Sequence, residues 1–157
     1  MSSATTDGPA LVCWDNSEGA GRAVAHAGTI LPGRRAIVLF VHVPTEEARG
    51  ILGGLSGPDA PVMGVSDAEL VLERGVAAAR AAGLDPTGVL LAADRRTSQL
   101  INASADEHDA VVIVMGQRKR SAIGKLLMGS VATEVLNSDH RPVLMVSPGE
   151  PGTYLSA

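Results

Sequence analysis

The sequence predicts an α/β fold: a single doubly wound sheet of five parallel strands with helices on both faces. Four apolar runs of strand length, and a weaker fifth, alternate along the chain with segments in which apolar residues recur at helical spacing. Runs that are apolar throughout are typical of parallel strands buried on both faces. The composition agrees, because 45% of the residues are hydrophobic but only 2% are aromatic. Val, Leu, Ile and Ala must therefore fill the core.

The predicted strands are short and rich in Val, Ile and Leu. In chain order they are residues 10–14, 36–43, 88–93, 110–115 and 142–146, of which the third is the weakest. Strands that alternate with helices run parallel and are joined by right-handed crossovers. The 157 residues suit one domain, which we expect to cover residues 10–147, with a flexible tail at 1–9 and a second tail at 148–157.

The first two helices have recognisable ends in the sequence. Ser17 precedes the first helical stripe and is a suitable N-cap residue. The second helix is expected to begin at Ser66, because Glu69 follows it at capping-box spacing. Gly83 suits the position just after the end of that helix.

The last two helices follow Thr97 and the Gly129-Ser130 pair. The long segment 44–65 contains several glycines and two prolines, so we expect an irregular loop there. Long loops in compact domains are often lids or binding surfaces.

Charge and composition exclude several classes of function. The formal net charge of −4 gives no general attraction to nucleic acids or anionic membranes. The single cysteine, Cys13, excludes an internal disulfide, and the scattered histidines give no zinc spacing. No apolar run is long enough to span a bilayer, and the first nine residues lack a secretion signal pattern. We therefore expect a cytoplasmic protein that binds neither membranes nor nucleic acids.

Two strand ends carry residues suited to a ligand. The first strand is followed directly by Asp15, and the fourth by Gly116. In open parallel sheets, ligands bind at the carboxyl ends of the strands where the strand order reverses. A Gly-Ser pair at a helix start, here Gly129 and Ser130, offers free amides and the positive dipole end to a phosphate. Many helices begin with such a pair for capping alone, which is the more common explanation of the spacing, and Asp15 is equally suited to a turn.

The segment from Met115 to Val131 resembles the signature loop of universal stress proteins. In nucleotide-binding members, that loop reads Gly, two residues, Gly, nine residues, Gly, then Ser or Thr. Gly116 and the Gly129-Ser130 pair match its outer positions at the correct spacing. Residues 11–18 look like the family's first strand and Asp-x-Ser-Glu turn, and the resemblance extends over residues 10 to 147.

This resemblance implies the strand order 3-2-1-4-5 and a homodimer. It also implies an adenine nucleotide as ligand, either ATP or AMP, which would bind together with Mg²⁺. Asp15 and Val43 would meet the base, and Gly116 would pass close to the ribose and phosphates. The phosphates would lie on the loop and on the helix start that follows it. The implied nucleotide-binding residues are Asp15, Val43, Gly116, Arg118, Lys119, Gly129, Ser130 and Val131.

The chain departs from the signature at its second glycine, which is Lys119. A side chain there obstructs the backbone approach or imposes a conformation that costs about 1 kcal/mol without glycine. An ammonium beside a phosphate would compensate electrostatically. If a nucleotide binds, Arg118 and its basic neighbours would attract its phosphates. Otherwise they are ordinary solvent-exposed charges of a loop.

Three classes of function remain on the sequence alone. The first is a nucleotide-binding stress-response or regulatory protein, and the second is a nucleotide-free dimeric module that acts on an unknown protein partner. An enzyme is not expected, because no residue stands out as a general base and the phosphate-loop Lys-Ser/Thr signature is absent. The third class is an enzyme of another doubly wound type, such as a flavodoxin-like or receiver protein. A receiver is not favoured, because Asp94 follows the third strand but the acidic partners that a receiver needs are absent.

The sequence also predicts where Trp14 and the last strand lie. Trp14 either packs under a helix or lines the base pocket, and core packing is preferred. The last strand, residues 142–146, should lie at a sheet edge, where an apolar strand pairs readily with another chain. The homodimer is therefore expected to form through it.

Overall fold

The computed structural model describes residues 6–46, 50, 61–117, 129–138 and 140–147. Its five strands are β1 (Ala10–Cys13), β2 (Arg35–His42), β3 (Asp85–Ala92), β4 (Val112–Gly116) and β5 (Val143–Val146). Its helices are α1 (Glu18–Ile30), α2 (Val65–Ala81), α3 (Thr97–Glu107) and α4 (Ser130–Ser138). The strands pair in parallel in the order β3-β2-β1-β4-β5. The predicted fold class and strand order are confirmed.

The core has two layers, one on each face of the sheet. Alternate strand residues, such as Val12 and Phe40, pack with α1 and α2. Their neighbours, such as Leu11 and Leu39, pack with α3 and α4 on the other face. All four are at most 2% exposed, as expected for strands covered on both sides.

Of the two N-caps predicted for the first two helices, one is confirmed and the other is wrong. The Ser17 hydroxyl accepts a hydrogen bond from the N–H of Ala20 at 3.1 Å and caps α1. The second helix begins at Val65, after Gly64, and has no side-chain cap bond. Ser66 is therefore already inside the first turn, where it does not occupy the capping position. Gly83 has φ of +92° after α2, as predicted.

The third strand is longer than predicted, because it begins at Asp85 rather than at 88. The Asp85-Pro86 pair has the composition of a turn, yet both residues pair with β2. Proline lacks an N–H group and is tolerated in a strand at the edge of a sheet. The position of β3 at the edge thus explains why this segment is a strand.

Residues 6–9, within the predicted N-terminal tail, contact the amino end of the sheet. The Arg34 guanidinium donates to the carbonyl oxygens of Thr6 and Gly8 at 2.9 and 2.8 Å. The N–H of Val111 donates to the carbonyl of Pro9 at 3.0 Å. Among the described residues, no helix has the length and apolar character needed to cross a membrane.

Candidate functional site

The candidate site lies at the carboxyl ends of the central strands. β1 pairs with β2 on one side and with β4 on the other, so the ends of these strands lie side by side. Here the connections diverge: α1 follows β1 on one face of the sheet, and α4 follows β4 on the other. This is the reversal of strand order at which ligands bind in open parallel sheets.

Asp15 forms the turn between β1 and α1. Its Oδ1 accepts a hydrogen bond from the N–H of Ser17 at 3.0 Å. Asn16, between them, has φ of +63°, a left-handed conformation that asparagine tolerates better than most residues. The turn role considered for Asp15 is therefore present. Because the side chain is only half-buried, this role leaves it close to solvent at the strand end.

Gly116 contacts the first turn of α1. A Cβ atom at Gly116 would lie 2.2 Å from the carbonyl oxygen of Gly19 and 2.9 Å from the nitrogen of Ala20. Gly19 also lies close to this strand end, because a Cβ there would lie 3.0 Å from the carbonyl oxygen of Gln117. Glycine at 116 thus allows the end of β4 to approach the backbone of α1. This packing role is independent of any role in ligand binding. The signal for this contact was Gly19 itself, an unfavourable residue in a helix.

The main-chain groups of Val43 are engaged by the segment before α2. Its N–H donates to the carbonyl of Pro61 at 2.9 Å, and its carbonyl accepts from the N–H of Met63 at 3.0 Å. Val43 itself is fully buried and forms an isolated parallel bridge with Val62. We refer to residues 61–63 as the 61–63 segment. Its sequence, an apolar pair after a proline, was the only hint of this short bridge.

Two further side chains lie near the strand ends, the buried His42 and the half-buried Cys13. His42 is 2% exposed, and its Nδ1 lies 3.1 Å from the carbonyl oxygen of Met63. Burial, and to a smaller extent the nearby carboxylate of Asp15, together raise the pKa of the Cys13 thiol to about 12. Near neutral pH, the thiol is therefore protonated and a poor nucleophile.

Trp14 packs under a helix, which confirms the preferred prediction of core packing. Its indole is 8% exposed and lies in the core layer between the sheet and α2. The Nε1–H donates to the carbonyl of Val71 at 2.9 Å. A Cβ at Gly75 would lie only 2.7 Å from the indole Cγ, so this glycine makes room for the ring.

The start of α4 is positioned by a polar contact with α3. The carboxylate of Glu134 accepts hydrogen bonds from the Ser98 hydroxyl at 2.5 Å and from the Arg96 guanidinium at 3.0 Å. Ser98 is 4% exposed. The contact joins the amino-terminal turn of α3 to α4, and therefore helps to fix where α4 begins.

The structure describes some of the residues that were predicted to bind phosphate, but not all of them. Ser130 is exposed and is the first residue of α4, and Gly129 and Val131 beside it are half-buried. The carbonyl of Gly129 accepts from the N–H of Thr133 at 3.0 Å, so Gly129 rather than Ser130 flanks the helix. Arg118 and Lys119 lie outside the described residues.

Acidic, cysteine and histidine side chains do not cluster at the site. Within the ranges that the structure describes, no group of three or more such residues is placed to hold a metal ion. The described chemistry consists of one carboxylate, main-chain amides and a helix start. These groups suit a polar organic ligand or a phosphate.

Comparisons with known proteins agree with the fold. A family model described as the universal stress protein family matches residues 8–147. A curated universal stress protein from Mycolicibacterium smegmatis is 46% identical over 52 residues, which are 33% of this chain and 39% of that relative. The match thus spans about two fifths of the relative's length.

Solved structures are similar over a much larger share of the chain. A universal stress protein from Archaeoglobus fulgidus is 28% identical with a TM-score of 0.69, and the match covers 88% of this chain and 97% of that one. A universal stress protein from the same organism, solved in complex with dAMP, is 26% identical with a TM-score of 0.63. That match covers 88% of this chain and 96% of the other.

Proposed function

Because this chain belongs to the universal stress protein family, we propose that it is a cytoplasmic regulatory protein that binds an adenine nucleotide, either ATP or AMP, at the carboxyl ends of β1, β2 and β4. One observation carries the proposal: three of the predicted residues, Asp15, Val43 and Gly116, lie at that same end of three neighbouring strands. The similar protein from A. fulgidus solved with dAMP supports an adenine nucleotide as the ligand class.

The described groups suggest a division of roles. Asp15 and the main chain of Val43 would meet the base, and Gly116 would border the ribose. Gly129, Ser130 and Val131 at the start of α4 would receive the phosphates, because free amides and the helix dipole attract anions. Arg118 and Lys119 would add positive charge. A magnesium ion would take its ligands chiefly from the phosphates and water.

Nucleotide binding should raise the melting temperature. At one hundred times its dissociation constant, a ligand adds about 2.7 kcal/mol to the free energy of unfolding. Trp14 is the only tryptophan and adjoins Asp15, so its fluorescence gives a second readout. Calorimetry with ATP and AMP, and with the Lys119→Gly variant, measures the affinity directly. No shift at millimolar nucleotide for either protein would favour the nucleotide-free module instead.

We further propose a homodimer formed through the outer edge of β5. The carbonyls of Pro142 and Val146 accept hydrogen bonds from Ile113 and Gln117 on the β4 side. Main-chain groups alternate along a strand, so those of Val143 and Met145 face away from β4. No other strand in the described ranges pairs with that edge. It therefore offers free main-chain donors and acceptors to a second copy.

Met145→Pro is expected to convert the dimer to a monomer with an intact fold. Proline removes an N–H that faces outward, and edge strands tolerate such a loss. Sedimentation at micromolar concentration measures the mass, and circular dichroism checks the fold. Leu144→Pro is the matched control, because it removes an N–H on the β4 side and should unfold the strand. A Met145→Pro protein of unchanged mass would rule out this interface.

A further inference from the structure

The 61–63 segment runs beside Val43 at the end of β2. It presents one carbonyl, from Pro61, and one N–H, from Met63, and both are bonded to the main chain of Val43 at 2.9 and 3.0 Å. A third contact holds it in place, because the carbonyl of Met63 lies 3.1 Å from the Nδ1 of His42. A carbonyl can only accept, so Nδ1 carries the proton in this contact.

The direction of these bonds locates the segment over the site. The carbonyl of Leu39 accepts from the N–H of Trp14, which directly follows β1, whereas the carbonyl of His42 accepts from the N–H of Ala93, which directly follows β3. Main-chain groups alternate between the two neighbouring strands, so those of Val43 point to the β1 side. β1 has already ended there, at Cys13. The 61–63 segment therefore lies on the β1 side of Val43, in the space beyond the end of β1.

We propose that the 61–63 segment is an internal competitor of the nucleotide base. This inference rests on the proposed function, because it assumes that the base pairs with Val43. The edge of adenine offers an exocyclic N–H and a ring nitrogen, which are one donor and one acceptor. The segment offers Val43 the same pair of groups through Met63 and Pro61. Both partners cannot occupy Val43 together, so base binding requires the segment to leave, and docking of the segment lowers nucleotide affinity.

Met63→Pro tests the competition. The substitution removes the N–H that donates to Val43, while the carbonyl of Val43 stays available to a ligand. We expect AMP to bind about five-fold more tightly by calorimetry, the factor that one net hydrogen bond represents. Gly64→Pro is the matched control: Gly64 has φ of −65°, which proline adopts without strain, and the N–H of Met63 is retained. Its affinity should equal that of the unmodified protein.

A ligand without a base separates this effect from a general change in the site. Ribose 5-phosphate cannot pair with Val43, so its affinity should be the same for the unmodified protein and for Met63→Pro. An equal gain for both ligands would overturn the proposal, because the segment would then act on the site as a whole.

Amide hydrogen exchange gives a second measurement that needs no substitution. In the free protein, the N–H groups of Val43 and Met63 are both hydrogen-bonded and should exchange slowly. With saturating AMP, that of Met63 should exchange faster while that of Val43 stays protected by the base. If AMP binds and Met63 remains protected, the competitor inference is wrong and the proposed function stands. If no adenine nucleotide binds at all, both fail.

Discussion

Gly116→Ala is expected to lower the free energy of unfolding by about 3 kcal/mol, at the upper end of the usual cost of overpacking. The new Cβ would lie 2.2 Å from the carbonyl oxygen of Gly19 and 2.3 Å from its carbonyl carbon. These are backbone atoms of the first turn of α1, so they cannot rotate away as a side chain would. The turn must shift as a unit, and the cap made by Ser17 shifts with it. Urea unfolding followed by circular dichroism measures the loss.

Gly21→Ala in the same helix is the control for Gly116→Ala. No atom lies within 4 Å of the position of its Cβ, and alanine is favoured over glycine in a helix interior. The control should therefore gain stability by roughly 0.5–1 kcal/mol. If Gly116→Ala is as stable as the unmodified protein, β4 and α1 are not in the close contact described. The end of β4 would then not border the site in the way described.

Trp14→Ala is expected to cost about 4 kcal/mol, as is typical when a large aromatic side chain is removed from a core. The indole fills the space between β1 and α2, and its hydrogen bond to Val71 is lost with it. Gly75→Ala alone should also destabilise the protein, by about 2 kcal/mol, because the added Cβ overpacks the core. That Cβ would lie within 2.8 Å of three ring atoms of Trp14.

The double variant distinguishes this contact from a general effect of each residue. Once Trp14 is alanine, the space at Gly75 is open and only the helix preference remains. Gly75→Ala should then stabilise the protein by roughly 0.5–1 kcal/mol. The sign of its effect thus reverses between the two backgrounds, which chemical unfolding followed by circular dichroism detects. An equal cost in both backgrounds would show that Trp14 and Gly75 are not coupled.

Much of the fold was predictable because local pattern and burial coincide in a parallel sheet. Strands covered on both faces must be apolar throughout, which marked four of the five. Ser17 was recognisable because capping depends on residues three apart. The beginning of β3 was missed because Asp85 and Pro86 have turn chemistry, and only the edge position of that strand makes them acceptable. Ser66 was misread because a capping-box spacing also occurs one residue inside a helix.

The sequence by itself determined the order of the strands and helices along the chain, the apolar character of the strands, and the cap at Ser17. These follow from side-chain spacing and from local hydrogen bonds, which a short stretch of chain carries within itself. Only the tertiary structure decided that Gly116 faces the backbone of Gly19, that Trp14 needs Gly75, and that the 61–63 segment engages Val43. Each of these contacts joins residues far apart in the chain, and whether they touch depends on how closely the packed elements approach one another.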